Sequence, residues 1–354
     1  MTKKTIFITA GGTGGHVFPA LAVAKELASE FNIVWVGATV GIENELVPKH
    51  GFKLERLRIS GLRKKGWLKL CLMPFLLSSA IAKSIKLILL HRPDVVVGFG
   101  GYAAFPVSFA AWILRIKVII HEQNSVAGMS NRLLAKIATH VLVAFYGVLP
   151  SNRTTLVGNP VRADIVKLDP VEVRYRGRVG GLSVLVLGGS LGAKILNDSI
   201  PKVLAKVATV AKITHQVGRG DDNSVRNTYR ELGVSQAKVV KFIDDMASSY
   251  AEADLVISRS GASTVSEICA VGVAAVFIPY PYAVDDHQRY NAAPLFKCDA
   301  AFMIPQEDFN IEGCIKLINS LDRERCMQMA LQAKKLAIPD SAHKICQIIR
   351  ESIQ

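Results

Sequence analysis

No two of the six cysteines, Cys71, Cys269, Cys298, Cys314, Cys326 and Cys346, are spaced as Cys-x-x-Cys, so neither a thiolate zinc site nor a disulfide framework is indicated. A reducing compartment is the expectation. Asp-x-Asp is also missing: the aspartates pair only as neighbours, at Asp221-Asp222, Asp244-Asp245 and Asp285-Asp286. A carboxylate clamp for a divalent ion is therefore not on offer, and neither a metal nor a cofactor is expected. Long uncharged apolar runs are absent too. The run from Thr5 to Ala10 is too short for a secretory core, and Leu70 to Ala82 is 13 residues with Pro74 inside. A membrane span needs about 20 apolar residues, so a cytoplasmic location without a span is expected.

Acidic residues are scarce in one half only. Residues 1–160 hold 19 Lys and Arg against 7 Asp and Glu, a net of +12, while residues 161–354 hold 24 against 22. A positive field confined to one half suits an anionic partner, whether phospholipid, a pyrophosphate substrate or nucleic acid, and suits plain solubility equally well. The basic residues are interleaved with Leu, Ile and Phe and form no recognition helix, which argues against nucleic acid. From Arg63 to Arg92, the lysines and arginines flank Trp67, Leu68, Phe75 and Leu76, a composition that fits equally a segment lying on an anionic membrane surface and an ordinary buried helix pair with exposed lysines.

At 354 residues the chain has the length of two domains. Thr5 to Ala10 reads as a strand, Gly11 to Gly15 as a glycine loop, and the stretch through Leu21 and Leu27 as a helix. Ser183 to Leu187, Gly188 to Gly192 and Ala193 to Val207 repeat that order about 175 residues later. Further short apolar runs read as strands at Ile33–Val36, Val95–Val97, Val118–Ile120, Lys212–Gln216, Val239–Phe242, Leu255–Ile257 and Val276–Ile278. Strands alternating with helices make an α/β protein with parallel sheets covered on both faces. The Val157 to Arg162 segment, with Gly158 and Pro160, is the expected hinge.

Glycine loops between a strand and a helix bring backbone amides and a helix N-terminus onto phosphate. Neither loop has the G-x-G-x-x-G spacing, which argues against a nicotinamide dehydrogenase. His16 opens the first helix beside such a loop and is a candidate general base, with a polar helix-start residue as the alternative. The Arg259 to Glu267 segment follows a strand and opens a helix. Thr264 and Glu267 have capping-box spacing, and equally Glu267 could accept from vicinal sugar hydroxyls.

The set Gly11-Gly12-Thr13-Gly14-Gly15-His16-Val17-Phe18-Pro19-Ala20, Gly100-Gly101-Tyr102, His121-Glu122-Gln123-Asn124, Gly158-Asn159-Pro160-Val161-Arg162, Gly188-Gly189-Ser190, Phe242-Ile243-Asp244-Asp245-Met246 and Arg259-Ser260-Gly261-Ala262 closely resembles the MurG family of bacterial glycosyltransferases. The resemblance implies a GT-B fold of two Rossmann-like domains facing a cleft. The first, 1–161 with a C-terminal helix at about 338–354, would take the acceptor and the membrane; the second, 162–337, would take UDP-N-acetylglucosamine. It implies metal-independent, inverting transfer of N-acetylglucosamine to the 4-hydroxyl of undecaprenyl-pyrophosphoryl-N-acetylmuramoyl-pentapeptide (lipid I), giving lipid II for peptidoglycan.

Donor contacts would fall on Thr13, Gly14, Gly15, Asn124, Arg162, Ser190, Ile243 beside the uracil, Ala262, Ser263, Thr264, Val265, Ser266, Glu267 on the ribose, and Gln288. Leu191 and Ser263 depart from the family's usual Gln and Leu. Implied surroundings are the cytoplasmic face of the inner membrane, held peripherally, and other cell-wall or division proteins. Three alternatives remain at this stage: a same-fold transferase acting on another lipid, a UDP-N-acetylglucosamine 2-epimerase, and a non-catalytic nucleotide-sugar-binding scaffold.

Overall fold

The computed structural model describes residues 3–59, 73–149, 153–189 and 191–353. The expectations for Arg63, Lys64, Lys65, Trp67 and Lys69, and for Ser190, concern positions outside these residues. The chain divides into two compact units, Met1–Arg162 with Ile338–Gln354, and Ala163–Ala337.

The first unit is built on a seven-stranded sheet in the order β3-β2-β1-β4-β5-β6-β7. Its strands are β1 (Thr5–Ala10), β2 (Asn32–Ala38), β3 (Lys53–Leu57), β4 (Val95–Gly100), β5 (Lys117–Glu122), β6 (His140–Val143) and β7 (Thr154–Leu156). All its pairings are parallel. Side chains alternate across each strand. Ile6, Ile8, Trp35, Val95 and Val97 enter one layer, with Val17, Leu21 and Ala24 of the Gly14–Leu27 helix. Phe7, Val34, Val36, Val96 and Val118 enter the other, with Val107 and Ala110 of the Ala104–Ile113 helix. Both faces are covered, which is why the strands read as unbroken apolar runs rather than as alternating ones.

The Ser341–Ile353 helix belongs to this first unit, although about 180 residues of chain precede it after Arg162. Ile345 and Ile349 are fully buried in the layer of the Gly14–Leu27 helix. Burying two such side chains stabilises by about 3–6 kcal/mol, a large part of a typical domain's margin. Arg350 reaches Glu30 at 2.7 Å, and the last carbonyls accept from Lys4 (at Ile353, 2.7 Å) and Lys117 (at Ser352, 2.6 Å). Cations at a helix C-terminus complement its dipole.

The second unit carries a six-stranded parallel sheet in the order β10-β9-β8-β11-β12-β13. The strands are β8 (Leu182–Leu187), β9 (Val210–Gln216), β10 (Lys238–Val240), β11 (Leu255–Ser258), β12 (Ala274–Phe277) and β13 (Ala301–Met303). Val184, Val186, Ile257 and Val276 meet Leu196 and Ile200 of the Lys194–Leu204 helix and Met329 of the Arg323–Lys335 helix.

Two sequence expectations change. The run Val239–Phe242 ends as a strand at Val240, and Phe242 is exposed in the following loop. The 13-residue count across Leu70–Ala82 also understated the apolar segment, because Lys83 and Lys86 lie inside the continuous helix Met73–His91. By length and composition Pro74–His91 passes as a membrane span, with mean hydropathy 1.3. Its packing argues otherwise: Ala80, Ser84, Leu87 and Ile88 form a buried stripe, with Leu87 and Ile88 in the core under β1, β2 and β4. It is one of the helices covering the sheet.

Candidate active site

In each sheet, chain order reverses at one place: between β1 and β4 in the first unit, and between β8 and β11 in the second. Crossovers leave such neighbouring strands in opposite directions and open a crevice at their C-terminal ends, where ligands of open α/β sheets bind. The glycine loops that the sequence singled out follow these strands. In the first unit, Thr13 to His16 follow β1, Gly100 to Tyr102 close β4, and Asn124 follows β5, so these residues share one end of one sheet.

Thr13 is the N-cap of the Gly14–Leu27 helix and makes no side-chain cap. The first amide accounted for in that helix is His16, which donates to the Thr13 carbonyl at 3.2 Å. The amides of Gly14 and Gly15 precede it and have no partner within the helix, the arrangement that holds an anion. Thr13 is exposed, and Gly14, Gly15 and His16 are half-buried. His16 Nδ1 lies 3.1 Å from the Gly11 carbonyl. A carbonyl has no hydrogen to give, so Nδ1 carries the proton and Nε2 is the basic nitrogen of the neutral ring. The ring lies against Gly100, where a Cβ would come within 2.8 Å of His16 Cδ2, at φ +101. Gly100 is therefore required by both contact and conformation.

A second histidine stands nearby, and its environment assigns it a different task. His121 is wholly buried, and its Nε2 is 2.9 Å from the Gly158 carbonyl. Burial is the first cause holding its pKa down at about 4, and the charge of His16 pushes the same way. His121 is thus a neutral strut tying β5 to the Gly158 turn. Glu122 next to it is also buried, accepting from the Asn124 amide at 3.0 Å, the Gly128 amide at 3.1 Å and Asn131 Nδ2 at 2.8 Å. This carboxylate orients half-buried Asn124. Arg162, half-buried, ends the unit.

In the second unit the Ala262–Val271 helix begins after the N-cap Gly261, which makes no side-chain cap. Thr264 therefore sits inside the helix, and the capping-box reading of Thr264 and Glu267 is not realised. Val265 donates its amide to the Gly261 carbonyl at 3.0 Å, and its side chain, like that of Ala262, is buried. The amides of Ala262, Ser263 and Thr264 precede that bond and, like those of Gly14 and Gly15, have no partner within their helix. Ser263, Thr264, Ser266 and Glu267 are half-buried.

Glu267 Oε2 accepts from the Tyr250 hydroxyl at 3.0 Å, a partner the sequence reading did not identify. Tyr250 is fully buried on the Met246–Glu252 helix, so only a three-dimensional contact reveals it. Ile243 is buried just ahead of that helix, whose cap is Asp245, bonded to the Ser248 amide at 2.9 Å. Asp221 similarly caps the Asp222–Glu231 helix. Two of the adjacent aspartate pairs thus supply helix caps. Gln288 Oε1 accepts from the Tyr280 amide at 2.9 Å, which fixes the preceding loop. Arg259 donates to the carbonyls of Ile278 and Pro279, each at 2.9 Å, and to Gln306 at 2.7 Å. Its guanidinium braces the ends of β11 and β12.

Residues 6–143 match the glycosyltransferase family 28 N-terminal domain, and residues 183–345 match the family 28 C-terminal domain. A Cupriavidus metallidurans protein named UDP-N-acetylglucosamine–N-acetylmuramyl-(pentapeptide) pyrophosphoryl-undecaprenol N-acetylglucosamine transferase is 46% identical over 351 residues, 98% of each chain. The crystal structure of Acinetobacter baumannii MurG superposes with a TM-score of 0.85 at 35% identity, covering 98% of this chain and 99% of that one. A UDP-GlcNAc 2-epimerase from Neisseria meningitidis, solved with UDP-GlcNAc, matches with a TM-score of 0.68 at 14% identity over 98% of this chain and 100% of that one. At that identity the likeness is one of fold alone.

Proposed function

The chain belongs to the MurG family of glycosyltransferase family 28, and from that premise we propose how its own residues carry the family's reaction. It transfers N-acetylglucosamine from UDP-N-acetylglucosamine to undecaprenyl-pyrophosphoryl-N-acetylmuramoyl-pentapeptide, the step that makes lipid II. The step is one in-line displacement without a metal. The muramoyl 4-hydroxyl oxygen bonds to C1 of the donor sugar as the C1–O bond to UDP breaks, inverting C1. The hydroxyl proton passes to His16 Nε2. The charge left on the β-phosphate meets the helix-start amides of Ala262, Ser263 and Thr264, with Arg162 as a further counter-charge.

The observation that carries this reading is the bond from His16 Nδ1 to the Gly11 carbonyl, which makes Nε2 the basic nitrogen of the neutral ring at a helix start whose first amides have no partner within the helix. Gly14 and Gly15 serve the acceptor pyrophosphate as well as the donor sugar, together with Thr13 and Asn124. Glu267 accepts from the ribose hydroxyls, Ile243 lies along the uracil, Ser190 and Ser266 flank the diphosphate, and Gln288 meets the sugar. Tyr250 fixes the rotamer of Glu267.

The lipid acceptor places the work at the cytoplasmic face of the membrane. Phe75, Leu76, Leu89 and Leu90 on the Met73–His91 helix are exposed, and so are Trp112 and Ile113 on the Ala104–Ile113 helix packed beside it. Lys83 and Lys86 are exposed on the same helix as Phe75. An apolar surface edged with lysines supports peripheral binding to anionic lipid.

The test is transfer of labelled sugar from UDP-N-acetylglucosamine to a short-chain lipid I analogue, with chelator present. A disaccharide product and UDP in equal amounts are expected. UDP-N-acetylmannosamine formed without acceptor would identify an epimerase instead. A finer check is Tyr250→Phe. Losing one hydrogen bond, worth about 1 kcal/mol, should raise the donor KM about fivefold with kcat nearly unchanged. An unchanged donor KM would remove Tyr250 from the account.

A further inference from the structure

We propose that Glu43 is a positioning residue for the transfer, acting on His16 through the Gly11–Gly12 peptide bond; this rests on the reading of His16 as the base. Glu43 opens the Glu43–Lys49 helix and is fully buried. Its Oε2 accepts from the Gly12 amide at 2.9 Å, and its Oε1 accepts from the Ala38 amide at 3.1 Å. Gly11 and Gly41 leave room for the carboxylate; a Cβ on either would collide with it.

The Gly12 N–H and the Gly11 C=O belong to one peptide unit and point in opposite directions. Glu43 binds the N–H side, and His16 Nδ1 binds the C=O side at 3.1 Å. A carboxylate on the N–H polarises the amide and makes its carbonyl the stronger acceptor. The chain carboxylate, peptide, imidazole therefore holds the Nδ1–H tautomer and favours the imidazolium that forms when Nε2 takes the acceptor's proton.

β1 and β4, which flank the Gly14–Leu27 helix, contain no charged side chain. On the Ser341–Ile353 helix, His343 and Arg350 pair with Glu26 and Glu30, at the far end of the Gly14–Leu27 helix. From β5, His121 is held neutral by burial, and Glu122 bonds Asn124, Gly128 and Asn131. Tyr102 follows β4 as the remaining titratable group on that loop. Among the described residues, Glu43 is the carboxylate bonded to the glycine loop that also holds His16.

The experiment uses the full chain with 15N-labelled histidine and long-range 1H–15N spectra of the rings, with His16 assigned by its loss in His16→Asn. The unmodified protein should show His16 as the Nδ1–H tautomer. Glu43→Gln removes the charge and offers a carbonyl to only one of the two amides. It should lower the His16 titration midpoint by about 0.5–1 pH unit. It should also cut kcat about tenfold with donor KM within about twofold. Glu43→Asp keeps the charge, and its midpoint should stay near that of the unmodified protein.

An Nε2–H tautomer in the unmodified protein overturns the proposal without any variant. So does a His16 midpoint and tautomer unmoved in Glu43→Gln. If His16→Asn keeps full turnover, the base assignment fails, while the spectral link between Glu43 and His16 is judged separately by the midpoint.

Discussion

Replacing His16 by alanine is expected to lower kcat by about 10²- to 10⁴-fold, the span typical of a lost general base, with the donor KM nearly unchanged. Nδ1 is committed to the Gly11 carbonyl, so the proton-accepting nitrogen is Nε2. His121 cannot substitute, because it is wholly buried and its Nε2 is bonded to the Gly158 carbonyl. The glycine loop amides are backbone groups and survive the substitution, so binding should change little. Kinetics with saturating acceptor give the answer. A kcat within about threefold of the unmodified enzyme would place the base elsewhere.

The second large effect belongs to Glu267. Its carboxylate sits one turn into the Ala262–Val271 helix, and its Oε2 is fixed by the Tyr250 hydroxyl. A carboxylate held in one rotamer accepts from two vicinal hydroxyls without a further entropic cost of ordering. A hydrogen bond to a charged group is worth about 1.5–3 kcal/mol, so Glu267→Ala, at a net loss of about 2–2.7 kcal/mol once water replaces the carboxylate, should raise the donor KM by about 30- to 100-fold. Glu267→Gln keeps the shape and loses the charge, so it should fall between the two. A donor KM that Glu267→Ala leaves unmoved would refute the ribose assignment.

Much of the architecture was legible because parallel strands buried on both faces carry unbroken apolar runs. β1, β4, β5, β8 and β11 announce themselves in Ile-, Val- and Leu-rich segments that end in glycine or polar loops. β3 is the sequence Lys-Leu-Glu-Arg-Leu at a sheet edge, and β7 is only Thr-Thr-Leu at the other edge. Edge strands are wetter and shorter, so their periodicity is weak. The Met73–His91 helix was legible in composition but not in length, because two lysines on its outer face break an uncharged run without breaking a helix. Snorkelling side chains make that distinction invisible to counting.

The glycine loops and His16 were readable because their chemistry is local. The residues that hold them were not. Glu43 lies 31 positions from Gly12, and Tyr250 lies 17 positions from Glu267, and each contact exists only through packing. A glutamate at a helix start ordinarily reads as a solvated partner of the helix dipole. Its complete burial against a glycine peptide is a tertiary fact. Whether Thr264 and Glu267 form a capping box likewise turned on three residues of helix register, since the N-cap is Gly261 and not Thr264. Helix ends are where sequence reasoning is weakest.

In the proposed reaction the labour is divided: the first unit handles the acceptor's proton at His16, and the second holds the nucleotide through Glu267. Calorimetric titration of UDP into His16→Ala and Glu267→Ala tests it most directly, because UDP binding needs no acceptor and no turnover. The expected Kd for His16→Ala is within about twofold of that of the unmodified enzyme, and the expected Kd for Glu267→Ala is weaker by about 30-fold or more. Weakened binding in His16→Ala together with unchanged binding in Glu267→Ala would contradict it.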